Sequence, residues 1–159
     1  MHDILDLDRF PIDQPDIPEY AALVAQCQAA LAQDGMYNLA SFLRPEHAQS
    51  AADALKPEIA SNSFTHSRQH NIYFKKELEH LPADHPALTE FQTTNHTLCA
   101  DQLVENTVTK IYQWQPLVAF LALTMGKKKL FTMDDPLAKI NVMAYNAGET
   151  LNWHFDRSE

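Results

Sequence analysis

Apolar positions in the first third of the chain recur at helical spacing. Tyr20, Leu23, Val24, Cys27 and Leu31 predict an amphipathic helix. It opens near Asp16, where D-x-x-E places a capping carboxylate three residues before Glu19, and it closes at Gly35. Residues 1–15 read as an extended arm, because proline and alternating acids prevent a sustained helix pattern. MYNLASFL, residues 36–43, switches to an apolar-rich extended pattern. Pro45 then opens a second helix with Ala48, Ala52, Leu55 and Ile59 as its buried stripe, and Pro57 is expected to kink or divide it.

Further on, SNSFTHS reads as a loop, and QHNIYF as a strand with His70, Ile72 and Phe74 on one face. Broken helical patterns return over residues 86–113. A stronger one spans 116–126, with Leu117, Phe120, Leu121 and Met125 inward and Gly126 at its end. KINVMAY supplies a short final strand. The order is helices first, strands second, with no internal repeat, which is an α+β pattern of one domain over residues 16–159 behind the arm.

Composition narrows the function classes. The 45% hydrophobic content suits a globular core rather than a disordered chain. A net charge of −9 disfavours a nucleic-acid partner. Lys127, Lys128 and Lys129 form a basic run without the glycine spacing of a phosphate loop, so a solvated turn is expected. Cys27 and Cys99 form no CxxC unit and read as reduced thiols, pointing to a cytoplasmic setting. No segment approaches membrane-spanning length, and the acidic N-terminus does not fit a signal peptide.

The candidate chemistry lies in INVMAYNAGETLNWHFDRSE, residues 140–159. On an extended backbone His154 and Asp156 project from one face with alpha carbons roughly 6.6 Å apart. An imidazole nitrogen and a carboxylate oxygen at that spacing can converge on one metal, and this donor set suits iron(II) with open positions for ligands. Alone, H-x-D is a common accident in a chain with eight histidines. The competing reading gives His154 a loop or core hydrogen bond and leaves Asp156 solvated.

The run Tyr145-x-x-Gly148-x-x-Leu151-x-x-His154-x-Asp156 resembles a segment of the Fe(II)/2-oxoglutarate-dependent oxygenases, and N-W-H-F-D-R-S-E resembles their bacterial branch related to free amino-acid halogenases and hydroxylases. The helix, QDGMYNLASFL and the Pro45 helix fit the N-terminal pattern of many members. The resemblance implies N-terminal helices packed on a partial double-stranded β-helix, or jelly roll. It implies His154 and Asp156 as the first two iron ligands and Tyr145 facing the 2-oxoglutarate cosubstrate. Where some relatives carry an Asn two residues before that Tyr, this chain has Met143; Asn141, one step further back on the same strand face, is read as a second cosubstrate contact, with sheet packing or a turn contact as the alternative. Asp156 stands where the halogenating relatives carry Gly or Ala, so hydroxylation of a small polar substrate such as a free amino acid is implied.

The distal histidine and the 2-oxoglutarate-binding arginine of the family come from strands after H-x-D. The earlier histidines, His47, His66, His70, His80, His85 and His96, read as helix or loop residues outside that order. The expectation is therefore an oxygenase domain whose C-terminal part is missing, inactive by itself, with an exposed sheet edge near residues 139–145. Trp153 and Phe155 alternate with the ligands and are expected to pack in the core. Arg157 lies on that opposite face and reads as a surface ion pair. Arg68 and His70 precede a strand that closes over the pocket in this reading. The alternatives are a cupin-like metal enzyme that does not use 2-oxoglutarate, and a non-catalytic jelly-roll fragment. Oligomeric state is left open by the sequence.

Overall fold

The computed structural model describes residues 1–75, 79–103 and 106–155. These residues form α1 (Pro18–Asp34), α2 (Pro45–Asn62), β1 (Phe64–His70), a 3-10 turn (Pro86–Leu88), β2 (Phe91–Leu98), a second 3-10 turn (Ala100–Gln102), α3 (Thr107–Tyr112), α4 (Gln115–Thr124) and β3 (Val142–Ala144). The strands make an open antiparallel sheet in the order β1-β2-β3. Mixed helix and sheet agree with the α+β expectation.

Proline stands in the first turn of α1, α2 and α4, while α3 is capped by the Asn106 side chain. α1 begins at Pro18 with Ile17 as an extended N-cap that makes no side-chain bond, so the cap expected at Asp16 is not used. Proline at the first helical position lacks only an N–H that would be orphaned anyway, and its fixed φ suits the helix. Gly35 ends α1 at φ 72°, its N–H donating to Leu31 O, as its position predicts. α2 runs as one helix through Pro57, which therefore does not divide it. Pro57 and Asp53, whose carbonyl loses its helical partner, are both exposed residues.

The first fifteen residues are turned rather than extended, and they supply much of the core. Leu5, Leu7 and Ile12 are at most 1% exposed, packed with Phe10, Tyr20, Cys27 and Phe120. The rings of Tyr20 and Phe120 meet edge to face at 5.9 Å. The acids Asp3, Asp6 and Asp8 stay on the outside of these turns while the intervening leucines turn in, which the alternation disguised as an arm. MYNLASFL forms no strand beyond a single bridge between Leu43 and Leu5.

A second cluster of Leu55, Leu98 and Leu103, with Ile59, Ile140 and Val142, seats α2 on one face of the sheet. The opposite sheet face is left for the site. β1 starts in residues expected as loop and takes in Gln69 and His70 of the strand expected at 69–74, and β2 lies over residues expected as broken helix. Apart from Phe64, Phe91 and Leu98 at their ends, both strands are polar on both faces, and side-chain pairs link them: Ser67 Oγ lies 2.6 Å from Thr94 Oγ1 and Thr65 Oγ1 3.0 Å from His96 Nδ1. β3 pairs on one side with β2 among the described residues. Among them, too, no helix is long and apolar enough to cross a membrane.

Candidate functional site

The antiparallel register puts His66, Arg68 and His70 of β1 on the same face as Thr93, Asn95 and Thr97 of β2, with Met143 of β3 opposite Thr97. This face is one wall of an open cavity of about 760 Å³. The other wall is the segment 151–155, which contributes Leu151, Asn152, Trp153 and His154. That volume lies in the range of small-molecule sites, roughly 300–1,000 Å³. Among the described residues, the lining includes Arg68 and three histidines but no carboxylate, so a chain of net charge −9 presents basic groups here on a largely apolar wall.

Segment 151–155 has no regular secondary structure, yet it is tied down at both ends. Asn152 Nδ2 donates to Gln92 O at 2.8 Å and to Thr93 Oγ1 at 3.2 Å. Phe155 N–H donates to Ile72 O at 2.8 Å, and its ring stacks on Tyr73 at 5.2 Å. Between these ties Asn152 and His154 are half-buried, whereas Leu151, Trp153 and Phe155 are exposed. The alternation expected for an extended segment is present. The core packing expected of Trp153 and Phe155 is not: Trp153 is 91% exposed at the rim of the cavity.

His154 is held on three sides. Its Nδ1 lies 2.7 Å from Asn152 O. Its ring meets those of His70 and Phe74 edge to face, at 6.1 and 5.4 Å. Phe74 reaches this place because Asn71 Oδ1 accepts the Tyr73 and Lys75 N–H groups, bending the chain after β1 and putting Phe74 at φ 54°. Phe74 also stacks on His70 at 4.5 Å and lies under the Arg68 guanidinium at 4.2 Å.

The structure thus brings His154 together with Arg68 and His70. The residues of the expected strand close against the cavity as a turn. His66 and His96 are strand residues, not the helix or loop residues expected, whereas His70, expected in a strand, is the last residue of β1. His70 is not an open ligand: its Nδ1 and Nε2 are engaged by Asn71 O at 3.0 Å and Thr93 Oγ1 at 2.7 Å. Asp156 and Arg157 lie outside the described residues. Among the described residues no three His, Cys, Asp or Glu gather around a common point.

Tyr145 and Asn141 follow the period-two alternation onto Met143's side of the sheet. Both are exposed, and neither is among the residues lining the cavity. The Tyr145 hydroxyl lies 3.8 Å from Met143 Sδ, which does line it.

The turn between β3 and segment 151–155 is fixed by the glycine of the motif. Gly148, at φ 87°, occupies the third position of a turn closed by Glu149 N–H donating to Asn146 O at 3.0 Å. An L side chain is strained in that conformation, although nothing crowds the position. Glu149 closes the turn from the other side: its carboxylate accepts the Asn146 N–H at 2.7 Å and lies 3.1 Å from His96 Nε2.

The Asn146 N–H, followed by His96 and the Asn146 amide, holds the Glu149 carboxyl below the ordinary glutamate range. A carboxylate whose pKa is lower folded than unfolded stabilises the fold above its unfolded pKa. That contribution is lost as pH falls through the folded value. A carboxyl-detected NMR titration is expected to place Glu149's midpoint below that of a free glutamate, and the turn to loosen only below the ordinary range. A midpoint at or above the free value would contradict the geometry. Comparison with family models, with curated proteins and with solved structures finds no match for this chain.

Proposed function

We propose that this chain carries residues of an iron(II)- and 2-oxoglutarate-dependent hydroxylase site on a jelly roll, with His154 and Asp156 as iron ligands. The observation that carries the reading is the coincidence of motif and place. The histidine singled out by Tyr145-x-x-Gly148-x-x-Leu151-x-x-His154-x-Asp156 stands, half-buried, on the wall of a cavity of small-molecule size.

The donor chemistry fits the metal. The contact of His154 Nδ1 with a backbone carbonyl makes Nδ1 the protonated nitrogen and leaves the lone pair of the neutral ring on Nε2, the arrangement common in metal-binding histidines. An imidazole and a carboxylate are ligands that iron(II) accepts while positions stay open for cosubstrate and oxygen. When bound, iron and 2-oxoglutarate supply oxygen activation coupled to decarboxylation. The protein binds and orients. The basic lining, with Arg68 as its permanent cation, suits a doubly anionic cosubstrate and a small substrate bearing a carboxylate. Tyr145 offers a phenolic hydroxyl on the same sheet face, and Asn141 an amide. The apolar rim of Met143, Leu151 and Trp153 is suited to excluding water once covered. Free amino acids fall within this substrate class.

Anaerobic addition of Fe(II) and 2-oxoglutarate is the test. Chelation of the metal by the keto acid on the protein gives a visible charge-transfer band that neither component gives with the protein alone. Its appearance supports the reading. Iron bound without any response to 2-oxoglutarate would favour a cupin-like site, and no metal binding at all a non-catalytic fragment.

A further inference from the structure

We propose that Asn152, Thr93 and His70 form a hydrogen-bonded relay that fixes the tautomer and orientation of His154. As a statement about metal binding this rests on the reading of His154 as a ligand; as a statement about the ring itself it does not. The relay follows from donor and acceptor chemistry taken one atom at a time. His70 Nδ1 lies 3.0 Å from Asn71 O, a pure acceptor, so Nδ1 carries the proton. Nε2 of the neutral ring then accepts, and the group beside it at 2.7 Å is the Thr93 hydroxyl, which donates. With its only proton committed, Thr93 Oγ1 accepts from Asn152 Nδ2 at 3.2 Å, while the same amide donates to Gln92 O at 2.8 Å. Asn152, anchored on β2 in this way, presents its backbone carbonyl to His154 Nδ1 at 2.7 Å.

Each link has one consistent direction. The chain runs from the end of β1, through the most buried polar residues of the sheet, to the imidazole that faces the cavity. His70 and Thr93 are 5% and 4% exposed. Polar groups buried to that degree are costly unless every partner is met, and here they are met by one another. The register explains how two such residues touch. His70 pairs with Phe91 and Arg68 with Thr93, so His70 and Thr93 are diagonal neighbours on the inner face, within reach of a ring and a hydroxyl. Asn152 precedes His154 by two positions and so lies on the same side of the segment, which is how one residue reaches both β2 and the imidazole. Hydrogen-bond partners behind a metal-binding histidine typically alter affinity 10–100-fold when removed.

The test reads the ring directly. In metal-free protein above neutral pH, the imidazole nitrogen shifts of His154 are expected to report a single Nδ1–H tautomer. Thr93→Val, which keeps the side-chain shape and removes the hydroxyl, and Asn152→Ala are expected to shift His154 towards a mixture of tautomers. Thr93→Ser is expected to restore the wild-type pattern. Titration of the same four proteins with Co(II) is expected to show at least tenfold weaker binding for the first two variants and near-native binding for the serine. Wild-type nitrogen shifts in both Thr93→Val and Asn152→Ala would overturn the relay. A tautomer shift in a protein that binds no Co(II) would uphold the relay and remove the iron reading, so the two claims fail separately.

Discussion

His154→Ala is expected to weaken metal binding by at least about 100-fold, the upper end of what loss of a mere hydrogen-bond partner costs such a site. With it should go any spectral response to 2-oxoglutarate. His154 lies in an irregular segment and is half-buried, so its truncation should leave the fold intact. The urea midpoint should move little, because the ring is braced by the edges of Phe74 and His70 and does not support them in the core. A matched control is His66→Ala. It removes a histidine from the same cavity, and it should leave metal binding at the wild-type level. Equal loss in the two variants, read by Co(II) titration, would mean that the cavity's general basicity and not the motif histidine governs what binds there.

Phe120→Ala should have the largest effect on stability, about 3–5 kcal/mol. The ring is fully buried, meets Tyr20 edge to face and closes the cluster that Leu5, Leu7 and Ile12 build from the N-terminal turns. Its removal leaves a cavity that these turns, constrained by their own hydrogen bonds, are poorly placed to fill. Leu123→Ala on the same helix is the comparison, since Leu123 is 47% exposed; there the cost should stay below about 1 kcal/mol. Urea unfolding of both variants checks this. A similar loss in the two would show that burial of α4 does not organise the core.

The helices were legible because their apolar residues face the core. Tyr20 and Cys27 of α1 and Phe120 of α4 are buried where periodicity places them. The stripe of α2 was misplaced by one position at Ala51, as an alanine-rich helix gives little contrast between faces. The strands were obscured for a different reason. Thr93, Asn95 and Thr97 are buried polar residues, so the inner face of β2 alternates in burial but not in hydrophobicity. A pattern search that reads only apolar residues sees no strand there.

The same logic applies to the site. His154 was found through its motif, while Thr93 was hidden in a stretch read as helix. Asn152 was within reach of the period-two rule that paired His154 with Asp156, since that rule also puts the residue two positions before His154 on its side of an extended segment. The N-terminal turns escaped notice because Leu5 and Leu7 alternate with acids, a pattern shared by an extended arm and by tight turns that bury every second side chain.

Whether one metal ion joins the imidazole and the carboxylate of the H-x-D pair is most directly measured by anomalous scattering from crystals grown with Mn(II) in place of oxygen-sensitive Fe(II). The expected result is a single peak within coordination distance of His154 Nε2 and an Asp156 carboxylate oxygen, facing the cavity lined by Arg68 and His70. Side chains of His154 and Asp156 that diverge, or a peak seated elsewhere, for example between His96 and Glu149, would contradict it.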